Sequence, residues 1–228
     1  MLTKATLIIP AAGSGSRLDT EIPKPYLEIN GSTILEHTLR KFLGLDMLSQ
    51  VIVATSQHYI SKAESTLEEV VLDNLSFKVT EGGAERQYSI FNTLRYVEGD
   101  NLVIVHDAVR PFVKLAHVKN CCEAAVKVGA AVLGVPAKDT IKRLDNDDLI
   151  VDTPSRKYLW QAQTPQVFKK EVLQEAYQKA LEDNFIGTDD ASLVERLGYP
   201  VKMVEGDRSN FKITYPLDLK LAKLLLSS

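Results

Sequence analysis

The chain has 228 residues, enough for one medium domain with a sizeable core, and its 45% apolar and 25% charged residues are those of an ordinary globular protein. A net charge of −3 excludes a global basic field for nucleic acid or an anionic membrane, so if the substrates are phosphates their counter-charges have to be concentrated locally. No apolar run approaches the roughly 18 residues that span a bilayer, and Met1-Leu-Thr-Lys4 leads into a strand without signal-peptide features, so a cytoplasmic protein is expected.

The first predicted element is a strand over residues 5–9, and Pro10-Ala-Ala-Gly-Ser-Gly-Ser-Arg17 leaves its carboxyl end. Small residues let backbone N–H groups approach phosphate oxygens closely, so this loop reads as a phosphate cradle or as a plain Gly-Ser turn. It lacks the P-loop spacing and the third glycine of a dinucleotide fingerprint. Arg17 and Lys24, which follows Pro23, place two cations where a triphosphate would lie, with a solvated basic loop as the alternative.

Helical patterns are predicted over 33–43, 57–71, 86–96 and 115–128, and strands over 50–54, 77–80, 102–105 and 130–135. Thr33 with Glu36 predicts a capping box at the first helix. The segment 81–89 is a second glycine loop running into a helix, suited to reading a base through backbone groups. After the strand at 102–105, His106-Asp-Ala-Val-Arg-Pro111 offers Asp107 as a magnesium ligand and Arg110 as a phosphate partner, or an Asp–Arg pair closing a turn. His106 at that boundary reads as structural. Adjacent Cys121 and Cys122 fit helix packing rather than a zinc site or disulfide and suggest a reducing compartment.

The alternation of strands and helices implies a mainly parallel sheet with helices on both faces, whose ligands bind beyond the carboxyl ends of the strands. The pattern changes near residue 137, where 138–143 and 149–153 flank Asp145-Asn-Asp-Asp148 and predict a hairpin outside the main sheet. From 169 onward the chain returns to helix, with a short strand at 201–204 and a terminal helix at 216–226. Thr188-Asp-Asp-Ala191 opens a late helix, either as a cap or as part of a site. Lys212 sits in an apolar run, where an ammonium calls for an anionic partner.

Nine segments stand in one order: PAAGSGSRL (10–18), PKPYLEI (23–29), ILEHTL (34–39), GGAERQYS (82–89), HDAVRP (106–111), DTIKR (139–143), SRKYLWQAQTPQVF (155–168), TDDAS (188–192) and NFKIT (210–214). Together they resemble the bacterial 2-C-methyl-D-erythritol 4-phosphate cytidylyltransferases of the non-mevalonate isoprenoid pathway, nearly end to end. The resemblance implies a single Rossmann-like α/β nucleotidyltransferase domain over 1–228, with an inserted β-arm at about 137–156 that mediates a homodimer. It implies transfer of a cytidylyl group from CTP to a polyol phosphate with Mg²⁺ or another divalent cation, and no nucleic-acid or membrane partner.

Carried over by position, Ala11, Ala12, Gly13, Gly82, Gly83, Ser89 and Ala108 correspond to the CTP contacts. Arg17 and Lys24 correspond to the cations that hold the triphosphate and stabilise the transition state. Asp107, Arg110, Thr164, Thr188 and Lys212 correspond to the polyol phosphate pocket, with Thr140 and Arg156 presented by the arm to the partner's pocket. Lys212 and Arg156 are counted with the catalytic group. Pro25 replaces the family's common Gln, and Val109 its usual second Ala, and neither change removes a charge. A ribitol-5-phosphate cytidylyltransferase is the nearest alternative, which Arg156 disfavours, and a nucleotide-binding regulator without turnover is the alternative of another class.

Overall fold

A computed structural model describes residues 4–13, 22–71, 75–99 and 101–227. In chain order the strands are β1 (Ala5–Pro10), β2 (Glu28–Ile29), β3 (Ser32–Thr33), β4 (Leu48–Thr55), β5 (Ser76–Glu81) and β6 (Leu102–Val105), then β7 (Ala130–Pro136), β8 (Arg143–Leu144), β9 (Ile150–Asp152), β10 (Trp160–Lys169) and β11 (Lys202–Glu205). The helices are α1 (Ile34–Arg40), α2 (Ile60–Val70), α3 (Arg86–Leu94), α4 (Leu115–Val128), α5 (Lys170–Glu182), α6 (Asp190–Arg196) and α7 (Pro216–Leu226).

Seven strands form one sheet in the order β11-β7-β10-β6-β1-β4-β5. The pairs β1–β4, β1–β6, β4–β5 and β11–β7 are parallel, as the strand–helix alternation predicts, and β10 alone runs antiparallel between β6 and β7. Buried on both faces, β1 sends alternate side chains to opposite layers. Leu7 and Ile9 join Val51, Ile104, Leu35, Leu67, Val118 and both cysteines on the side of α1, α2 and α4. Ile8 joins Val103, Phe168, Ile90, Leu173, Tyr177 and Leu193 on the side of α3, α5 and α6. The buried, unbridged cysteines are core packing residues, and burial pushes the Cys122 thiol up to about 12.

Three sequence expectations change in detail. Helix 33–43 is regular only over α1, and Thr33 Oγ1 accepts the Glu36 N–H at 3.1 Å. The Glu36 carboxylate does not return to close a capping box and instead accepts from Ser32 Oγ at 2.8 Å and from Arg40. The stretch 57–71 divides into a 3-10 turn and α2. The short β2–β3 hairpin is not among the predicted elements, although Asn30-Gly31 turns it with φ of 53° and 82°, the pair that a two-residue hairpin loop favours.

The largest departure is β10, a ten-residue strand within a segment for which no strand is predicted. Its pairing to β7 breaks between Ala162 and Gln166, so Pro165 sits where no ladder hydrogen bond is required. The predicted hairpin is present as a separate two-stranded sheet of β8 and β9, shorter than 138–143 and 149–153 suggest. Leu149, Ile150 and Val151 on it are 64%, 61% and 54% exposed.

Candidate active site

The carboxyl ends of β1, β5 and β6 open on one cavity of about 530 Å³. Ala11, Ala12 and Gly13 line it after β1, Gly83 after β5, and Asp107 and Ala108 after β6; Lys24, Arg86 and Lys212 add cations to the wall. This is the location that a parallel sheet prepares for a ligand.

The two small-residue loops meet here. Ala11 N–H donates to Ala54 O at 2.6 Å and Gly82 N–H to Thr55 O at 2.8 Å, which ties both loops to β4. Ser89 Oγ accepts the Gly83 N–H at 3.0 Å and donates to Glu85 O at 3.1 Å, fixing the second loop to the first turn of α3. A Cβ on Gly82 would stand 2.4 Å from the Ala12 Cβ, so glycine there permits the two loops to touch.

Charge is gathered around one carboxylate. Asp107 is 7% exposed, and its Oδ1 accepts from Arg86 Nε at 3.3 Å while its Oδ2 accepts from Arg110 Nε and Lys212 Nζ, both at 3.2 Å. Burial opposes ionisation, but these three cations hold the Asp107 carboxyl far below the usual carboxylate range. Lys212 thus has the anionic partner that its apolar sequence surroundings call for. Arg86 also grips Asp190 through Nη1 at 3.0 Å and Nη2 at 2.8 Å, and Asp190 accepts from the buried Tyr177 hydroxyl. Lys24 is 6% exposed and donates to Thr214 O at 2.7 Å.

Behind the carboxylate runs a neutral relay. His106 is fully buried, and because a carbonyl can only accept, its Nε2–H donates to Arg110 O at 3.1 Å. Its Nδ1 then accepts from Thr164 Oγ1 at 3.1 Å, and that oxygen accepts the Asp107 N–H at 3.0 Å. Desolvation lowers the His106 pKa to about 4 and keeps the ring uncharged. His106 is therefore structural, as expected, and the Thr164 hydroxyl is engaged in positioning Asp107.

Of the sequence-predicted residues, the structure brings Ala11, Ala12, Gly13, Lys24, Gly83, Ser89, Asp107, Ala108 and Lys212 to the cavity wall. Gly82 and Arg110 stand directly behind it through Ser89 and Asp107. Arg110 forms the Asp–Arg pair with Asp107 and donates through Nη1 to Asn210 O at 2.8 Å. Thr188 lines a smaller cavity of about 210 Å³ on the other side of Arg86. Thr140 and Arg156 are exposed on the arm and do not line either cavity; Arg156 Nη1 donates to Lys138 O at 2.7 Å. Arg17 lies outside the described residues. Arg86, Asp190 and Tyr177 are additions that the sequence reading did not assign; an arginine at the entry to a helix after a glycine loop was the available signal for the first.

A magnesium ion fits Asp107 poorly as a direct ligand. Both carboxylate oxygens are already engaged by three cations, and a divalent ion there would be repelled by all of them. Among the described residues no group of three or more His, Cys, Asp or Glu side chains is arranged to hold a metal.

Residues 5–228 match the family model described as IspD: 2-C-methyl-D-erythritol 4-phosphate cytidylyltransferase. The chain is 44% identical over 220 residues to the 2-C-methyl-D-erythritol 4-phosphate cytidylyltransferase of Caldanaerobacter subterraneus subsp. tengcongensis, covering 96% of this chain and 97% of that one. It is 42% identical to the protein of the same description from Syntrophus aciditrophicus, covering 99% and 97%. Among solved structures, the 4-diphosphocytidyl-2C-methyl-D-erythritol synthase of Anaerococcus prevotii superposes with a TM-score of 0.88 at 31% identity, covering 99% and 97%. The 2-C-methyl-D-erythritol 4-phosphate cytidylyltransferase of Thermus thermophilus gives 0.80 at 35% identity, covering 99% and 100%.

The buried neutral His106 has a consequence for stability. The unfolded chain takes up its proton near pH 6.5 while the folded chain resists until about pH 4, so stability rises with pH across that window. Chemical denaturation should show the folding free energy falling by about 2 kcal/mol between pH 7 and pH 5. A folded His106→Asn variant should lose most of that slope; an unchanged slope contradicts the assignment.

Proposed function

The chain belongs to the 2-C-methyl-D-erythritol 4-phosphate cytidylyltransferase family, and from that premise we propose how its residues divide the work. The protein is a nucleotidyltransferase of isoprenoid precursor biosynthesis that transfers the cytidylyl group of CTP to 2-C-methyl-D-erythritol 4-phosphate. The products are 4-diphosphocytidyl-2-C-methyl-D-erythritol and pyrophosphate. The observation that carries the assignment of roles is the meeting of the Ala11–Gly13 and Gly82–Gly83 loops with the Asp107, Arg110 and Lys212 cluster at one cavity.

An acceptor phosphate oxygen attacks the α-phosphorus of CTP, the bond to the β-phosphate breaks, and pyrophosphate leaves. The attacking monoester is largely dianionic near neutrality, its second pKa being about 6, so no general base is required. The full engagement of His106 agrees with this. The task is to bring two polyanions together, which positioning and charge neutralisation accomplish. Ala11, Ala12, Gly13, Gly82, Gly83, Ser89 and Ala108 hold the nucleotide. Arg17 and Lys24 meet the charge that develops as pyrophosphate departs. Arg110 and Lys212, tied to Asp107, receive the acceptor phosphate, with Thr188 across Arg86 in the smaller cavity and Thr164 supporting Asp107 from behind. A divalent cation such as Mg²⁺ would bind with the triphosphate rather than at Asp107 and would supply further charge neutralisation.

The active protein is a homodimer in which Thr140 and Arg156 of each arm enter the partner's pocket. Support comes from the arm's unpaired apolar surface, where Leu144, Leu149, Ile150 and Val151 are all exposed, more than a lone hairpin retains at no advantage. A cytoplasmic location accords with the absence, among the described residues, of any helix long and apolar enough to cross a membrane.

Pyrophosphate release with CTP, Mg²⁺ and either 2-C-methyl-D-erythritol 4-phosphate or ribitol 5-phosphate tests the acceptor. Release is expected with the first, and Lys24→Ala should cut turnover on the order of 10²–10³-fold; release with ribitol phosphate alone overturns the substrate, and normal turnover in Lys24→Ala overturns that role. Ile150→Asp should give a folded monomer with strongly reduced turnover, measured by sedimentation and the same assay. A fully active monomer would rule out the shared site.

A further inference from the structure

The residue that joins the two halves of the site is one to which the catalytic scheme above gives no part. Arg86 opens α3 directly after the second glycine loop and lines both the larger and the smaller cavity. A guanidinium at the positive end of a helix is unfavourably placed with respect to the helix dipole. Two carboxylates offset this: Asp190 takes Nη1 and Nη2 as a fork, and Asp107 takes Nε. Asp190 is itself at the start of α6 and is 1% exposed.

The division of Asp107's oxygens is the decisive geometry. Arg86 holds Oδ1, and that leaves Oδ2 turned to Arg110 and Lys212. A lysine ammonium on a flexible four-carbon stem depends on its anchor for a defined position. If Oδ1 loses its partner, the carboxylate is free to rotate, and the position of Lys212 loosens with it. Arg86 is also locked to the nucleotide side, since Ser89 in the same first turn of α3 holds the Gly83 N–H.

We infer that Arg86 is a positioning residue for cytidylyl transfer: gripping Asp107 from one side and Asp190 from the other, it fixes the carboxylate to which Lys212 and Arg110 are tied. It thereby registers the acceptor pocket against the nucleotide loop. This inference rests on the proposed assignment of the Asp107 cluster to the acceptor phosphate.

Two variants test it. Arg86→Lys keeps the charge but cannot hold both carboxylates at once, and the pair Arg86→Gln with Asp190→Asn removes the cation together with one buried anion, so that folding survives. Steady-state kinetics with CTP and the polyol phosphate varied independently, and thermal unfolding alongside, give the readout. In a folded variant the KM for the polyol phosphate should rise about tenfold to a hundredfold with a fall in kcat, while the KM for CTP stays within about twofold. An unchanged acceptor KM in a folded variant, including one that has lost thermal stability, reduces Arg86 to a structural ion pair and overturns the inference. An equal rise in both KM values overturns it as well. Wild-type turnover in the same assay reports on the assigned reaction independently, so failure of that assignment is distinguishable from failure of this one.

Discussion

One buried carboxylate organises the charged half of this site. Asp107 draws Arg86, Arg110 and Lys212 to within 3.3 Å of its two oxygens, from three separate parts of the chain. Without that anion the three cations would repel one another and swing toward solvent. With it they form a preorganised cluster whose positive charge exceeds what Asp107 cancels, a suitable reception for a phosphate dianion. Because the surrounding dielectric is low, such a cluster acts more strongly than the same charges in water. The cost of burying Asp107 is met by the cations, its backbone by Thr164, and Thr164 in turn by His106.

The fold explains why these groups converge. Parallel strands β1, β4, β5 and β6 all end on the same edge of the sheet, so the loops after them are neighbours without being adjacent in sequence. Small residues at Ala11–Gly13 and Gly82–Gly83 allow those loops to touch and leave room above them. The antiparallel β10 then threads between β6 and β7 and brings Thr164 under Asp107. Its polar side chains also serve neighbouring loops: Gln166 donates to Asp189 at 2.8 Å and accepts the Ala191 N–H at 2.9 Å, which seats the start of α6.

Much of this was legible in the residues. The parallel core follows from the strand–helix alternation, and the loops at 10–13, 82–89 and 106–111 stand where strand ends predict a site. What escaped was whatever depends on distant partners. Strand β10 carries Gln161, Gln163, Thr164, Pro165 and Gln166, a polar run with a proline that no periodicity identifies as a central strand. It is stable because Gln163 and Gln166 are buried with partners on other segments. Arg86 escaped for the same reason, since its anions lie 21 and 104 positions away. The cysteines, by contrast, needed only their place in a helical pattern to be read as packing residues, and His106 its place at the end of a strand.

The charge of Asp107, and not its shape, assembles the acceptor side of the site. Asp107→Asn keeps the size and the backbone hydrogen bond to Thr164 while removing the anion. Turnover with saturating CTP should fall on the order of a hundredfold, with acceptor affinity weakened and nucleotide affinity near that of the unmodified protein. Near-normal turnover and acceptor affinity in a folded Asp107→Asn variant would show that the anion is not what assembles the cluster.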